Sequence, residues 1–101
     1  STAIDLINYF KKNKYKNIYL HDFCVLKKDL KTLGKVLPSF NMGCKDSDII
    51  IIMNNNKKYL DINFVDNLKS LKKTCLFYDT WGIVNLQIIK DKKNIFYKSI
   101  G

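Results

Sequence analysis

The sequence predicts an α/β domain with a mostly parallel sheet and helices wound on both faces, and three observations carry that prediction. Ile49, Ile50, Ile51 and Ile52 form an unbroken β-branched run, the pattern of a strand covered above and below. Thr74–Tyr78 is a second apolar run of this kind. Around them lie stretches with apolar residues at helical spacing, so strands and helices alternate along the chain.

In order, Ala3, Leu6, Ile7 and Phe10 make one helical stripe, which predicts a helix from about Ala3 to Asn13, with Thr2 and Asp5 at capping-box spacing. Asn17–Asp22 reads as a short strand after a basic linker. Leu26, Leu30 and Leu33 predict a second helix, with Gly34 as its left-handed stop. Lys35-Val36-Leu37 is a minimal edge strand halted by Pro38, which has no amide proton to donate. Ser39 then caps a short helix carrying Phe40 and Cys44. The isoleucine strand to Met53 should be central. Phe64, Val65, Leu68 and Leu71 share one face of a helix over Asp61–Leu71. Ile83–Ile89 is left unassigned, and Ile95-Phe96-Tyr97 is a final strand.

The order specifies a three-layer, Rossmann-like, doubly wound sheet that opens on a helix, where such folds open on a strand. Its first strand is expected to be missing. That strand would lie beside Ile49–Met53, so its loss leaves edges unpaired. In open α/β sheets ligands sit beyond the carboxyl ends of the strands. Two turns fall there: Asn54-Asn55-Asn56-Lys57-Lys58-Tyr59, and Asp79-Thr80-Trp81-Gly82. They should face each other.

A chain of 101 residues supports one domain, 1–101, with one modest core. The apolar fraction of 47% is that of a globular protein, and no apolar run approaches the ~20 residues of a membrane span. A cytoplasmic domain without membrane contact is the expectation. The net charge of +9 invites a nucleic-acid partner, yet all the basic residues are lysine. The planar forks of arginine are absent, and the lysines are spread over the ends of different elements, which argues against that partner. Cys24, Cys44 and Cys75 lack a C-x-x-C pair or partner histidines. They read as reduced thiols, Cys44 and Cys75 buried and Cys24 more exposed, and no metal is expected. His21 reads as a strand-end side chain and Asp22 as a turn residue.

Thr2-Ala3-Ile4-Asp5-Leu6-Ile7, Tyr19-Leu20-His21-Asp22, Leu37-Pro38-Ser39, Lys45-Asp46-Ser47-Asp48, Leu60-Asp61, Phe77-Tyr78-Asp79 and Phe96-Tyr97-Lys98-Ser99-Ile100-Gly101 carry, in that order, a resemblance. The chain resembles the C-terminal domain of the UDP-glucose/GDP-mannose (nucleotide-sugar) dehydrogenase family, which binds the nucleotide diphosphate of the sugar substrate. The resemblance implies a UDP-sugar ligand and a longer, homo-oligomeric enzyme with N-terminal and central domains. That enzyme would oxidise the sugar C6 alcohol to a carboxylate with NAD, for polysaccharide precursor synthesis. It implies no catalytic residue and no cofactor in this chain: the glycines at 34, 43, 82 and 101 are too dispersed for G-x-G-x-x-G, and the family's catalytic cysteine belongs to the absent region.

Substrate contacts are then expected from Asn54, Asn55, Asn56, Lys57, Tyr59, Asp79, Thr80 and Trp81. Asparagine amides suit a sugar or phosphate, lysines suit a diphosphate, and the indole suits a base. Two departures weaken the likeness locally. The family's Thr/Glu/His-like turn is an asparagine run here, which also reads as a solvated loop. The family's Asp-Gly-Arg is Asp79-Thr80-Trp81, which removes an arginine contact and leaves Trp81 free to pack over the sheet edge instead. Two further classes stay open: a stand-alone basic α/β module for RNA or an acidic partner, and a structural domain that covers a neighbour without binding a ligand.

Overall fold

The structure, a computed structural model, describes residues 2–37, 46–60, 66, 68, 71–89 and 91–99. The chain divides into two compact units, Ser1–Pro38 and Ser39–Gly101. Each carries its own parallel sheet, of two and three strands respectively. The α/β class and the parallel pairing are those the sequence predicts.

In the first unit, α1 spans Thr2–Lys12 with Asp5 in its first turn and Lys11 and Lys12 in its last, signs that suit the helix dipole. It stops at Lys14, whose φ is 61°. The Tyr15 amide donates to Phe10 O at 3.0 Å and the Lys14 amide to Lys11 O at 3.1 Å, while the Tyr15 ring meets Phe10 edge-on at 5.1 Å. This is a Schellman stop with its hydrophobic contact, built without glycine.

β1 is only Tyr19–Leu20, shorter than the Asn17–Asp22 expected. Asn17 has a φ of 58°, which is not strand geometry. Asp22 is drawn into a turn, its Oδ1 accepting from the Cys24 and Val25 amides at 2.7 and 3.0 Å. α2 spans Lys27–Leu30 and buries Leu30. Gly34 is not the left-handed stop predicted for it: among the described glycines only Gly82 has positive φ. Its amide closes the turn on Leu30 O at 3.2 Å, and a Cβ there would stand 3.4 Å from Leu20 Cδ1. β2, Lys35–Val36, pairs parallel with β1, and the Leu37 amide extends the ladder to Leu20 O at 2.9 Å.

The second unit holds β3 (Ile49–Ile52), β4 (Cys75–Asp79) and β5 (Ile95–Ser99), all parallel in the order β3-β4-β5. The isoleucine strand expected to be central is therefore marginal, and β4 is the middle strand. Among the described residues no strand pairs with the outer flank of β3, the side where the sequence expects a strand to be missing.

Coverage is also one-sided. Cys75, Phe77 and Asp79 on β4 are buried, as are Ile52 and Ile95. On the opposite face Ile49, Leu76 and Phe96 stand in register and are 47%, 40% and 60% exposed. An unalternated run thus records apolar residues on both faces of a strand, while the cover present here favours one. Ile83–Ile89, unassigned from sequence, contains a short helix α3, Leu86–Ile89, opened by Asn85, whose Oδ1 accepts from the Gln87 amide at 2.9 Å. The helix expected over Asp61–Leu71 lies largely outside the described residues; within it Asp66 and Leu68 are helical, and Leu68 and Leu71 are fully buried. The short helix expected after Ser39, with Phe40 and Cys44, lies outside them altogether.

Candidate functional site at the carboxyl ends of β3 and β4

Both predicted turns leave the sheet at the same edge, and the second is bonded to the end of the strand that leads into the first. The Thr80 amide and hydroxyl donate to Ile52 O at 3.0 and 2.8 Å, and the Trp81 indole N–H donates to Met53 O at 3.2 Å. The indole is more than half exposed, so it is anchored at its nitrogen and open to solvent beyond. Gly82, with φ 65°, turns the chain sharply after it, a conformation costly for residues with a Cβ.

The asparagine run is shaped by its own side chains. Asn54 Oδ1 accepts from the Asn56 amide at 3.0 Å, and Asn56 Oδ1 accepts from the Lys58 amide at 3.0 Å. These successive Asx turns lead into a 3-10 turn, Lys57–Leu60. Asn54 and Asn56 therefore commit an oxygen each to the loop, and Tyr59 is buried beneath it. Asn55, Lys57 and Lys58 are exposed.

Asp79 is fully buried. Its Oδ1 accepts from the Trp81 amide at 3.3 Å; its Oδ2 accepts from the Val84 amide at 2.8 Å and from the Tyr97 hydroxyl at 2.9 Å. The carboxylate is thus the anchor of the turn, not a group presented to a ligand. Sequence reasoning missed the Asp79–Tyr97 pair. The signal lies in strand parity, since Cys75, Phe77 and Asp79 alternate onto one face and Tyr97 lies opposite Phe77.

Burial, and then the Asp79 carboxylate beside it, push the Tyr97 phenol above its ordinary value. A phenol that holds its proton more tightly folded than unfolded stabilises the fold below its ordinary pKa of about 10, and this is lost as pH rises through the folded value. Stability is expected to fall above about pH 10, with a shallower fall in Tyr97→Phe. Urea titrations across that range check this, and equal slopes in both proteins would refute it.

Of the other titratable groups among the described residues, His21 and Cys24 lie in the first unit and Cys75 in the core. His21 is half-buried against Phe23, ring centroids 4.6 Å apart. Burial lowers its pKa, Asp22 raises it in part and Lys27 lowers it further. Cys75 is buried, and burial followed by the charge of Asp48 pushes its thiol up, which suits an inert core residue. Cys24 is exposed and Cys44 lies outside the described residues. Among the described residues no cluster of three or more His, Cys, Asp or Glu is placed to hold a metal, and no helix is long and apolar enough to cross a membrane.

The residues present do not fit NAD. Asp22 follows β1, where a dinucleotide fold places its ribose-binding acid, but its Oδ1 is turned onto the Cys24 and Val25 amides. The glycine-rich turn that would cradle the pyrophosphate is absent from the sequence.

The pieces left facing outward are Trp81, Asn55, Lys57 and Lys58, with Thr80 half-buried between the turns. They supply an exposed indole and exposed lysines at the carboxyl end of the sheet, residue types suited to a base and a diphosphate. Compared with known proteins, the chain matches no family model, and neither a curated protein nor a solved structure matches it.

Proposed function

We propose that the chain is the UDP-sugar-binding part of a longer NAD-dependent nucleotide-sugar 6-dehydrogenase. The observation that carries this reading is the docking of the Trp81 turn onto the end of β3, through Thr80 to Ile52 O and Trp81 to Met53 O. It gives an α/β sheet edge a prepared aromatic platform where such folds take ligands. Strand pairing lends support. Every strand pair among the described residues, β1-β2 in one unit and β3-β4 and β4-β5 in the other, is parallel, the pairing that doubly wound sheets use.

In this reading the base lies on the Trp81 indole, and the diphosphate meets Lys57 and Lys58. Asp79 and Tyr59 hold the platform from beneath. The oxidation of the sugar C6 alcohol, its catalytic cysteine and NAD belong to other domains of the longer enzyme.

Calorimetric titration with UDP tests the reading. Saturable binding at millimolar affinity or better is expected, and Trp81→Ala should weaken it about tenfold, the size of one base-aromatic stack. No heat at all removes the reading. A second reading, a domain that covers a neighbour and binds no small ligand, is favoured by the exposed row Ile49, Leu76 and Phe96. It predicts that null titration.

A further inference from the structure

The first unit contains a cleft that the nucleotide-sugar reading does not use. It has a volume of about 180 Å³ and is walled by Lys11 and Tyr15 from the end of α1, Ile18 before β1, and Leu33, Gly34 and Lys35 at the entry to β2. It therefore lies at the amino ends of β1 and β2, away from the carboxyl edge where α/β sheets ordinarily take ligands. We propose that this cleft binds a nucleotide unit, its base against the Tyr15 wall and its phosphate on Lys11 and Lys35, supplied either as a free mononucleotide or as part of a single strand.

The lining has two chemistries. Ile18, Leu33 and Tyr15 supply the cleft's apolar lining. Lys11 and Lys35 stand at the rim. Lys11 Nζ donates to Leu33 O, and Lys35 Nζ sits 5.8 Å from the centre of the Tyr19 ring. Neither has a carboxylate partner among the described residues, whose ion pair is Lys73–Asp48. An aromatic ring with an attached phosphate satisfies both chemistries, whereas a bare phosphate leaves the apolar lining unused.

Charge favours an anion beyond what the helix end requires. Between Asp5 and Asp22 the chain carries Lys11, Lys12, Lys14 and Lys16 and no acid. The carboxyl end of α1 presents about half a negative elementary charge, so the four lysines leave a surplus of roughly 3.5 positive charges over this stretch of chain, of which Lys11 lines the cleft. Tyr15 and Tyr19 are 55% and 50% exposed within this basic stretch, the interleaving of stacking platforms and cations that single-stranded nucleic acid uses.

Size narrows the ligand. Sites for drug-sized molecules begin at about 300 Å³, so the cleft suits one nucleotide unit and not a dinucleotide cofactor. With no arginine in the chain, bidentate reading of bases is absent, and binding should be tolerant of sequence.

Fluorescence anisotropy with a labelled oligouridylate of about eight nucleotides, and chemical-shift titration with uridine monophosphate, test the proposal on the whole chain. Oligonucleotide binding should weaken with salt between roughly 50 and 200 mM, with a log–log slope between about −1.4 for two phosphate contacts and −3.5 for five. Tyr15→Ala should weaken it about tenfold or more, Tyr15→Phe should leave it within about twofold, and Lys35→Ala should flatten the slope by about 0.7. Lys93→Ala, in the other unit, serves as the control that leaves binding unchanged. Shifts with uridine monophosphate at the cleft that persist in Trp81→Ala, with weak oligonucleotide binding, assign the free nucleotide as the source. Tight, salt-dependent oligonucleotide binding assigns the strand. The proposal is overturned if neither probe binds at roughly 50 mM salt, if Tyr15→Ala and Lys35→Ala change nothing while retaining native circular dichroism, or if phosphatidylserine vesicles displace the oligonucleotide at equal phosphate concentration. Trp81→Ala is expected to leave this binding intact, so the fate of the UDP site is read separately.

Discussion

Asp79→Ala is expected to lower the unfolding free energy of the second unit by about 3–5 kcal/mol, the cost of stranding partners of a buried charge. The carboxylate is fully buried at the end of the middle strand. Its removal leaves the Val84 and Trp81 amides without their acceptor and leaves the Tyr97 hydroxyl only the weaker bond to Val84 O at 3.3 Å. Val84 is itself buried, so water does not readily take the place of the lost oxygen. The turn through Trp81 and Gly82 should loosen with it, because Oδ1 and Oδ2 together fix its path. Asp79→Asn retains one oxygen and should cost less, about 1–3 kcal/mol. Urea unfolding followed by circular dichroism and Trp81 fluorescence measures both. A loss below about 1 kcal/mol for the alanine variant would mean that the carboxylate does not anchor the turn.

Phe77→Ala is expected to cost a comparable 3–5 kcal/mol by opening a cavity at the centre of the sheet. Phe77 is fully buried, lies in register between Ile50 and Tyr97, and meets the Tyr97 ring edge-on at 5.5 Å and 89°. Phe77→Leu, which keeps most of the volume, should cost under about 1.5 kcal/mol. The same unfolding experiment reads both, and equal losses would show that cavity volume does not set the effect. Because Asp79 and Phe77 both touch Tyr97, the two losses should not add, and a double-mutant cycle should show coupling of about 0.5 kcal/mol or more.

How legible this was in the sequence varied with the physics. α1 was readable from its helical apolar period, and β4 and β5 from short unbroken apolar runs. β1 was overestimated since the amino-acid types of Asn17–Asp22 suit a strand, while Asn17 takes left-handed geometry and Asp22 caps a turn. The isoleucine run was readable as a strand but not as a margin, because side-chain type does not record which neighbour pairs with each flank. At the site, the exit of both turns from one end of the sheet followed from parallel pairing alone. The roles of Asp79 and Tyr59 did not, since their types suit a ligand contact while their parity and burial make them scaffold. The cleft in the first unit was out of reach, for it joins positions 11, 15, 18 and 33–35 through a helix stop and a two-residue pairing that no local pattern announces.

The outer flank of Ile49–Ile52 carries backbone donors and acceptors without a partner strand among the described residues. Such a flank is a template on which a like segment from another molecule can lie. The net charge of +9 opposes such contacts between copies, and its reach shrinks from about 10 Å at 0.1 M ionic strength to about 3 Å at 1 M. Adding salt should therefore promote self-association in sedimentation velocity, opposite in sign to its effect on oligonucleotide capture, and Ile51→Lys should suppress it. A sedimentation profile indifferent to ionic strength would show that this flank is guarded by something other than electrostatic repulsion.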